Sequence, residues 1–348
     1  MAPSAAVGTP QAQAQPPPPP PPLPQAPRAL AQPQQHLVAG TLGGLVSTVA
    51  LYPLELIKTR MQVAEASTRA AWRNPYGSVL GSLRLVVRNE GAAGLYQGLT
   101  PAMIASAGSW GGYFYFYEHS KSRKLAAAAT EGSGRQGLTT VDHLASGVEA
   151  GAILVLLFNP LWLVKTRLAL QGAASGPGAT AATATSTAAA EARYTGVGDA
   201  LRTIVREEGV AGLYKGVVPA LFLTSHGAIQ FAVYEWLKAL SAAGGDGQQP
   251  AWVSVVIGGT SKIVASTATY PYQVVKARLQ QREAPGGLAA PRYSGMLDCV
   301  AKTWRLEGGL GFFRGVVPNA LKVAPSAALT FVVYEEVLKL LALAGGGT

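Results

Sequence analysis

The chain has 348 residues, of which 13% are charged and 49% hydrophobic, and its mean hydropathy is positive at +0.21. That balance tells against an ordinary water-soluble globule, for which about 25% charged residues is usual. The single cysteine, Cys299, excludes an internal disulfide and reads as a packed residue of an amphipathic helix. A net charge of +10 has to be placed somewhere on such an apolar chain.

Residues 1–35 contain a run of seven prolines at 16–22, many Ala and Gln, one arginine and no acid. This composition predicts an extended or disordered tail, without the basic start and apolar core of a secretory signal. An uncharged stretch then runs from 36 to 54 and ends in PLELIKTRMQ at 53–62. A stretch of about 20 apolar residues can span a bilayer, so 36–54 predicts the first span. GSVLGSLRLVVRNEG, from Gly77, has apolar positions near helical spacing and predicts an amphipathic helix on the membrane surface. EGAAGLYQG and GLTPA follow, inside an uncharged run of 26 residues at 92–117 that predicts the second span and closes in YEHSK.

The same order recurs twice. PLWLVKTRLA at 160, EGVAGLYKG at 208, GVVPA at 216 and YEWLK at 234 make a second copy; PYQVVKARLQ at 271, EGGLGFFRG at 307, GVVPN at 315 and YEEVLK at 334 make a third. Four motifs in fixed order, three times over, define three repeats. We assign 36–125 to repeat 1, 139–241 to repeat 2 with a low-complexity insertion at 172–192, and 250–342 to repeat 3. The prediction is an all-α membrane protein of six spanning helices with short amphipathic helices in the long loops. Gly40 and Gly44, and Gly147 and Gly151, form small-xxx-small pairs expected to let helices approach closely; in repeat 3 the pair is Gly258 and Lys262.

The long loops with their flanking motifs (58–96, 165–215, 276–314) carry 19 Lys/Arg and 9 Asp/Glu, whereas the tails and short connections carry 7 of each. The net positive charge therefore lies on one side, which the positive-inside rule makes the matrix or stromal side. It reads as a topology signal, and no nucleic-acid partner is expected.

The motif set Pro-x-acid-x-x-base-x-base, Glu-Gly…aromatic-base-Gly and aromatic-acid-x-x-base resembles the mitochondrial carrier family over about 36–340. The strings YQGLTP, SWGGYFYFY, NPLWLVKTRL, GTSK with ATYPYQVVKARLQ, and TSHGAIQFAVYE resemble its folate and flavin carriers. The resemblance implies three pseudo-symmetric repeats around a central cavity, worked by alternating access. It implies a matrix gate of Glu55, Lys58, Lys165, Gln273 and Lys276, in which Trp162 stands where an acid belongs. It implies a cytoplasmic gate of Glu118/Lys121, Glu235/Lys238 and Glu335/Lys339, the last with its lysine one residue late.

The family's substrate-contact positions map to Ala105, Leu223 and Lys322, with neighbours Ser106, Phe222 and Thr224. Lys322 is a lysine within a span, expensive unless it faces water or a partner. Lys262 and Glu149 are further intramembrane charges that either pair with each other or bind substrate. Trp110, His226 and Trp162 are candidate stacking surfaces for a heterocycle. No metal-ligand cluster, nucleophile elbow or phosphate-binding loop appears in the sequence, so no enzyme, metal or cofactor is expected. The implied cargo is a large, flat anion: folate, with FAD as the close alternative and NAD or pyrimidine nucleotides after it. A proton leak or scaffold is the alternative from another class. The other expectations are membrane lipid as a partner, with cardiolipin at the matrix-side helix ends, and a monomer. The compartment is the mitochondrial inner membrane or, alternatively, the chloroplast envelope.

Overall fold

The computed structural model describes residues 32–64, 78–130, 138–172, 194–242, 251–282 and 293–345. Most of the expected tail and the insertion in repeat 2 lie outside the described residues. The described residues form helices and turns only. In chain order the helices are α1 (Gln32–Val63), α2 (Val79–Glu90), α3 (Leu99–Thr130), α4 (Thr140–Gln171), α5 (Val197–Gly212), α6 (Val217–Phe222), α7 (Ser225–Ala242), α8 (Ala251–Ala268), α9 (Tyr270–Leu279), α10 (Met296–Glu307) and α11 (Val316–Gly345). Short 3-10 turns at Ala92–Tyr96 and Gly309–Phe313 follow α2 and α10. α1 begins at Gln32, so the last residues expected in the extended tail are helical.

Among the described residues four stretches are long and apolar enough to cross a membrane: Val38–Val63, Thr140–Gln171, Val217–Ser241 and Gly309–Leu343. α3 and the α8–α9 pair complete the bundle. α1 packs along α11, α3 along α4 and α7 along α8; contacts of α1 with α3, α4 with α6 and α8 with α11 close the ring. Pro53 and Pro160 lie inside α1 and α4, whereas the third helix breaks at Thr269 and restarts with Pro271 in the first turn of α9. Proline removes a helical N–H and clashes with the preceding turn, so each first helix of a repeat changes course at the same place.

The packed stripe of these helices differs from the expected one. Gly40, Gly44 and Gly258 face open space: a methyl added there would meet nothing within 4 Å. The enclosed positions are one residue earlier. Ala39, Gly43 and Ser47 are buried in α1, Ser146, Ala150 and Leu154 in α4, and Ile257, Ser261 and Ala265 in the third. They stand 14, 10 and 6 residues before the respective prolines. A methyl on Gly43 would stand 2.8 Å from Thr330 O of α11, and Ser47 Oγ lies 2.9 Å from Ser326 Oγ. Small residues do bring helices together here, but at positions offset by about 100° around each helix from the expected pair. A methyl added to Gly147 or Gly151 would stand 3.3 Å from the Tyr113 hydroxyl or the Thr224 methyl, so these glycines belong to a second, looser face.

The basic-loop end is tied by one interaction repeated cyclically. Arg60, Arg167 and Arg278, seven residues after each proline, are buried at 2%, 2% and 1% exposure, so their charges must be answered in place. Each pairs with the glutamate of its own repeat's second motif: Arg60 with Glu90, Arg167 with Glu208 and Arg278 with Glu307. Each also donates its Nε–H to a backbone carbonyl of another repeat, at Ala169 (2.9 Å), Gln280 (3.2 Å) and Gln62 (3.1 Å).

Glycines with left-handed backbones, Gly98 (φ +82°), Gly216 (φ +77°) and Gly315 (φ +84°), open the second helix of each repeat. A methyl there would stand 2.7, 3.2 and 3.0 Å from the carbonyls of Lys165, Lys276 and Lys58 respectively. Only glycine permits both the backbone conformation and the approach. Each of these three lysines is thereby fixed against the neighbouring repeat.

Candidate substrate cavity and gate

The three lysines, five positions after each proline, and the residues two and six positions after it converge at the floor of a central cavity. Its volume is about 380 Å³, and Glu55, Lys58, Trp162, Lys165, His226, Gln273, Lys276 and Asn319 are among its lining residues. That volume lies within the range of about 300–1,000 Å³ typical of small-molecule sites. A smaller cavity of about 210 Å³ adjoins it, sharing Trp162, Leu223 and Lys276 and adding Ser109 and Thr224.

Glu55 anchors the floor. Its Oε1 accepts from Lys165 Nζ at 2.8 Å and its Oε2 from Lys322 Nζ at 2.9 Å. The side chains of Glu55, Lys165 and Lys322 are 20%, 7% and 32% exposed, so the carboxylate reaches water less readily than either lysine would at a surface. Lys58 and Lys276 form no ion pair among the described residues. Lys276 Nζ instead stands 5.7 Å from the centre of the Trp162 ring, where the electron-rich face attracts a cation. The floor thus carries three lysines and one glutamate, and a fourth lysine, Lys322, reaches that glutamate without lining either cavity. Uncompensated positive charge inside a membrane protein is costly and calls for water or an anion.

The remaining candidates divide by position. Leu223 lines both cavities and Thr224 the smaller one. Lys262 is exposed and within electrostatic reach of Lys322 and His226, though it lines neither cavity. Ala105 is fully buried in the packing of α3, Ser106 is half-buried, and neither lines a cavity. Phe222 lies 51% exposed with its ring stacked on Tyr272, outside the lining set. Trp110 lies in α3, and its side chain is outside the described residues.

Glu149 corrects one alternative. It does not pair with Lys262: it accepts from Ser120 Oγ at 2.7 Å and pairs with Arg123, near the other end of the bundle. The arginine lies within reach on the neighbouring α3, which packs along α4, whereas Lys262 belongs to a helix of the third repeat. Residues that sequence reasoning missed are Asn319, Ser266, Thr59, Thr166, Gln62 and Gln280. The two glutamines carry a legible signal, since each stands nine residues after its repeat's proline.

At the opposite end the expected gate residues pair only within single helices. Lys121 reaches Glu118 at 3.0 Å one turn away, and Lys339 pairs with Glu336 at 2.7 Å rather than with the expected Glu335. The spacing explains the second case: three residues along a helix brings side chains onto one face, as four does, and Glu336 is the acid already pointing that way. Glu235, Lys238 and Glu335 form no ion pair among the described residues. Among those residues the one charged pair that crosses between repeats at this end is Arg123 with Glu149, outside the expected gate positions.

A closed ring of membrane-length helices from three repeats, around a polar cavity sealed by ion pairs at one end, defines a membrane transport protein. A family model described as mitochondrial carrier protein matches residues 30–126, 136–243 and 247–344, and the chain belongs to that family. Among curated proteins it is 40% identical over 317 residues to "Folate transporter 1, chloroplastic" of Arabidopsis thaliana, covering 88% of this chain and 95% of the relative. It is 39% identical to "Nicotinamide adenine dinucleotide transporter 1, chloroplastic" of the same plant, covering 87% and 90% respectively. It is 34% identical to "Nicotinamide adenine dinucleotide transporter 2, mitochondrial", also of Arabidopsis thaliana, covering 90% and 81%.

Proposed function

We propose that this carrier moves folates across an organelle membrane by alternating access. The observation that carries the reading is the pairing of one aromatic face, Trp162, with a floor of three lysines and one glutamate that a fourth lysine, Lys322, also reaches. A folate offers a flat pteridine to the tryptophan and two carboxylates to the lysines, which serve as point charges for anionic groups. The likeness to a chloroplastic folate transporter over most of both chains supports the same reading.

In this reading Glu55 with Lys165 closes the matrix or stromal gate, Lys58, Gln273 and Lys276 complete its polar ring, and Lys322 bears on it from α11. Glu118, Lys121, Glu235, Lys238, Glu335 and Lys339 close the opposite gate in the other conformation. Among these six residues no ion pair joins two repeats, which supports assignment of the present conformation to the state open on that side. A second reading, NAD as cargo, is favoured by the two NAD transporters among the relatives. NAD also combines flat rings with negative charge.

The test is uptake into liposomes by the purified protein, with labelled folate, FAD, NAD and pyrimidine nucleotides compared, and a pH-sensitive dye to register proton leak. Folate uptake is the expected result. Transport of NAD or another nucleotide without folate would overturn the folate reading, and dye response without any uptake would overturn carriage itself. The two chloroplastic relatives and the mitochondrial one bring both the chloroplast envelope and the mitochondrial inner membrane into view. Imaging the tagged full-length chain distinguishes them.

A further inference from the structure

His226 lines the main cavity from α7, and its ring is held by the break between α8 and α9. Its Nδ1 lies 3.2 Å from Thr269 Oγ1. Thr269 has one hydroxyl proton, and that proton is committed: Oγ1 donates to Ala265 O at 2.8 Å in the helical turn before the break. The threonine oxygen can then only accept from the histidine, so Nδ1 carries the ring proton. In the neutral ring this leaves Nε2 as an acceptor. The ring also lies within hydrogen-bond reach of the Ala265 backbone, the carbonyl that Thr269 Oγ1 meets, and a carbonyl calls for the donor on that side of the ring.

Besides His226 Nε2, the cavity's side-chain acceptors are the amide oxygens of Gln62, Gln273 and Asn319. Lysine only donates. Both oxygens of Glu55 are taken by Lys165 and Lys322. Gln280 Oε1 accepts from Thr166 and Ser266 Oγ accepts from Asn319. Thr59 donates back into its own helix, and the one proton of Thr166 lies between Trp162 O at 3.0 Å and Gln280 Oε1 at 2.9 Å.

We propose that His226 is a specificity-determining residue: fixed as the Nδ1–H tautomer by Thr269, it presents Nε2 to an N–H group on the cargo's heteroaromatic ring. The lysines take the anionic groups and Trp162 the ring face, so His226 would read what the ring carries at its edge. This rests on the folate reading for the identity of the cargo and on the geometry for the role. A buried polar group left without its partner discriminates against analogues that lack the matching group.

The experiment is liposome uptake by wild type, His226→Asn and His226→Gln, with labelled folate, FAD and NAD as separate cargoes. Asn keeps an N–H near Nδ1 for Thr269 and removes the Nε2 acceptor; Gln places an amide oxygen near Nε2. For folate, unlabelled p-aminobenzoylglutamate, which keeps both carboxylates and lacks the pteridine, is the competitor. Losing one hydrogen bond of ordinary strength corresponds to about a fivefold to tenfold change. The expected result is a KM for folate raised about that much in His226→Asn, little changed in His226→Gln, with inhibition by p-aminobenzoylglutamate the same in all three proteins.

A His226→Asn protein with wild-type KM overturns the proposal, as does equal weakening of folate and p-aminobenzoylglutamate. If wild type moves FAD or NAD in place of folate, the folate reading fails alone. The KM contrast between the two variants then tests His226 on that cargo. If wild type moves none of the three, both fall.

Discussion

Lys322 Nζ lies 2.9 Å from Glu55 Oε2, although 267 residues separate the two in the chain. One lysine from the last helix thus shares the carboxylate that also holds Lys165 of the second repeat. A cation in that place can serve an anionic cargo and the gate in turn, but not both fully at once. A cargo that draws Lys322 away leaves Glu55 with one partner and weakens the closed floor. A ligand shifts a conformational equilibrium only through such differential interactions. We expect Lys322→Ala to lower folate uptake about 10- to 100-fold, the scale of one lost charge-assisted hydrogen bond. Membrane insertion should be unchanged, and Lys322→Arg should keep a larger share of transport than Lys322→Ala. Full uptake by Lys322→Ala in liposomes would remove the residue from the site.

Trp162 replaces an acid at the position where Glu55 stands in repeat 1 and Gln273 in repeat 3. It borders both cavities, and Lys276 stands over its ring. Stacking of a base on an aromatic side chain is worth about 1–3 kcal/mol by alanine substitution. Trp162→Ala should therefore raise the KM for folate by about tenfold or more, whereas Trp162→Phe keeps most of the affinity. Trp162→Glu would supply the missing acid and answer Lys276 with a charge. Its expected effect is a firmer gate and slower turnover, read as a lower kcat at saturating cargo.

The repeats were legible because four motifs recur in register, and the equivalence of Lys58, Lys165 and Lys276 because each follows its proline at the same distance. Two features were not legible, for different reasons. The packed stripe was misplaced by one residue because α1 offers Gly40, Gly43 and Gly44 within five positions. Periodicity cannot choose between adjacent glycines when the surroundings of the helix on all sides are apolar. The bond between Glu55 and Lys322 depends on closure of the ring, where α11 returns to α1. Sequence spacing carries no information about that tertiary contact. The same holds for Asn319 and Ser266, whose mutual hydrogen bond of 2.8 Å joins helices far apart in the chain.

Glu208 supplies the pH-dependent prediction, from a helix on the basic-loop end outside the spans. Burial raises its carboxyl pKa, and the hydrogen bonds and charges of Arg167 and Lys215 outweigh that, so the group lies below the usual carboxylate range. A carboxyl whose folded pKa is depressed contributes stability above its unfolded pKa, about 4.3 for glutamate, and loses it as the pH falls through the folded value. The melting temperature of the purified protein should therefore fall on acidification below about pH 4. Glu208→Gln should lower stability at neutral pH and flatten that acid limb. Arg167 is buried, so leaving its guanidinium without a counter-charge should cost about 3 kcal/mol. An unchanged acid limb in Glu208→Gln would assign the pH dependence to other groups.

Gly43 and Gly40 give the sharpest test of the bundle's packing, because the two glycines share a helix and differ only in the face they occupy. A methyl on Gly43 would meet the backbone oxygen of Thr330 at 2.8 Å and its side-chain methyl at 3.3 Å, whereas one on Gly40 would meet nothing within 4 Å. The oxygen belongs to the backbone of α11 and cannot rotate away, so α1 and α11 would have to separate. Overpacking of this kind costs about 1–3 kcal/mol. At Gly40 the substitution meets open space, and replacing glycine by alanine within a helix gains about 0.5–1 kcal/mol. Gly43→Ala should therefore lower the melting temperature and Gly40→Ala leave it equal or raised. Gly43→Ala should also slow transport, since the α1–α11 seam carries Glu55 on one side and Lys322 on the other. Equal melting temperatures for the two variants would refute the assignment of Ala39, Gly43 and Ser47 as the packed stripe.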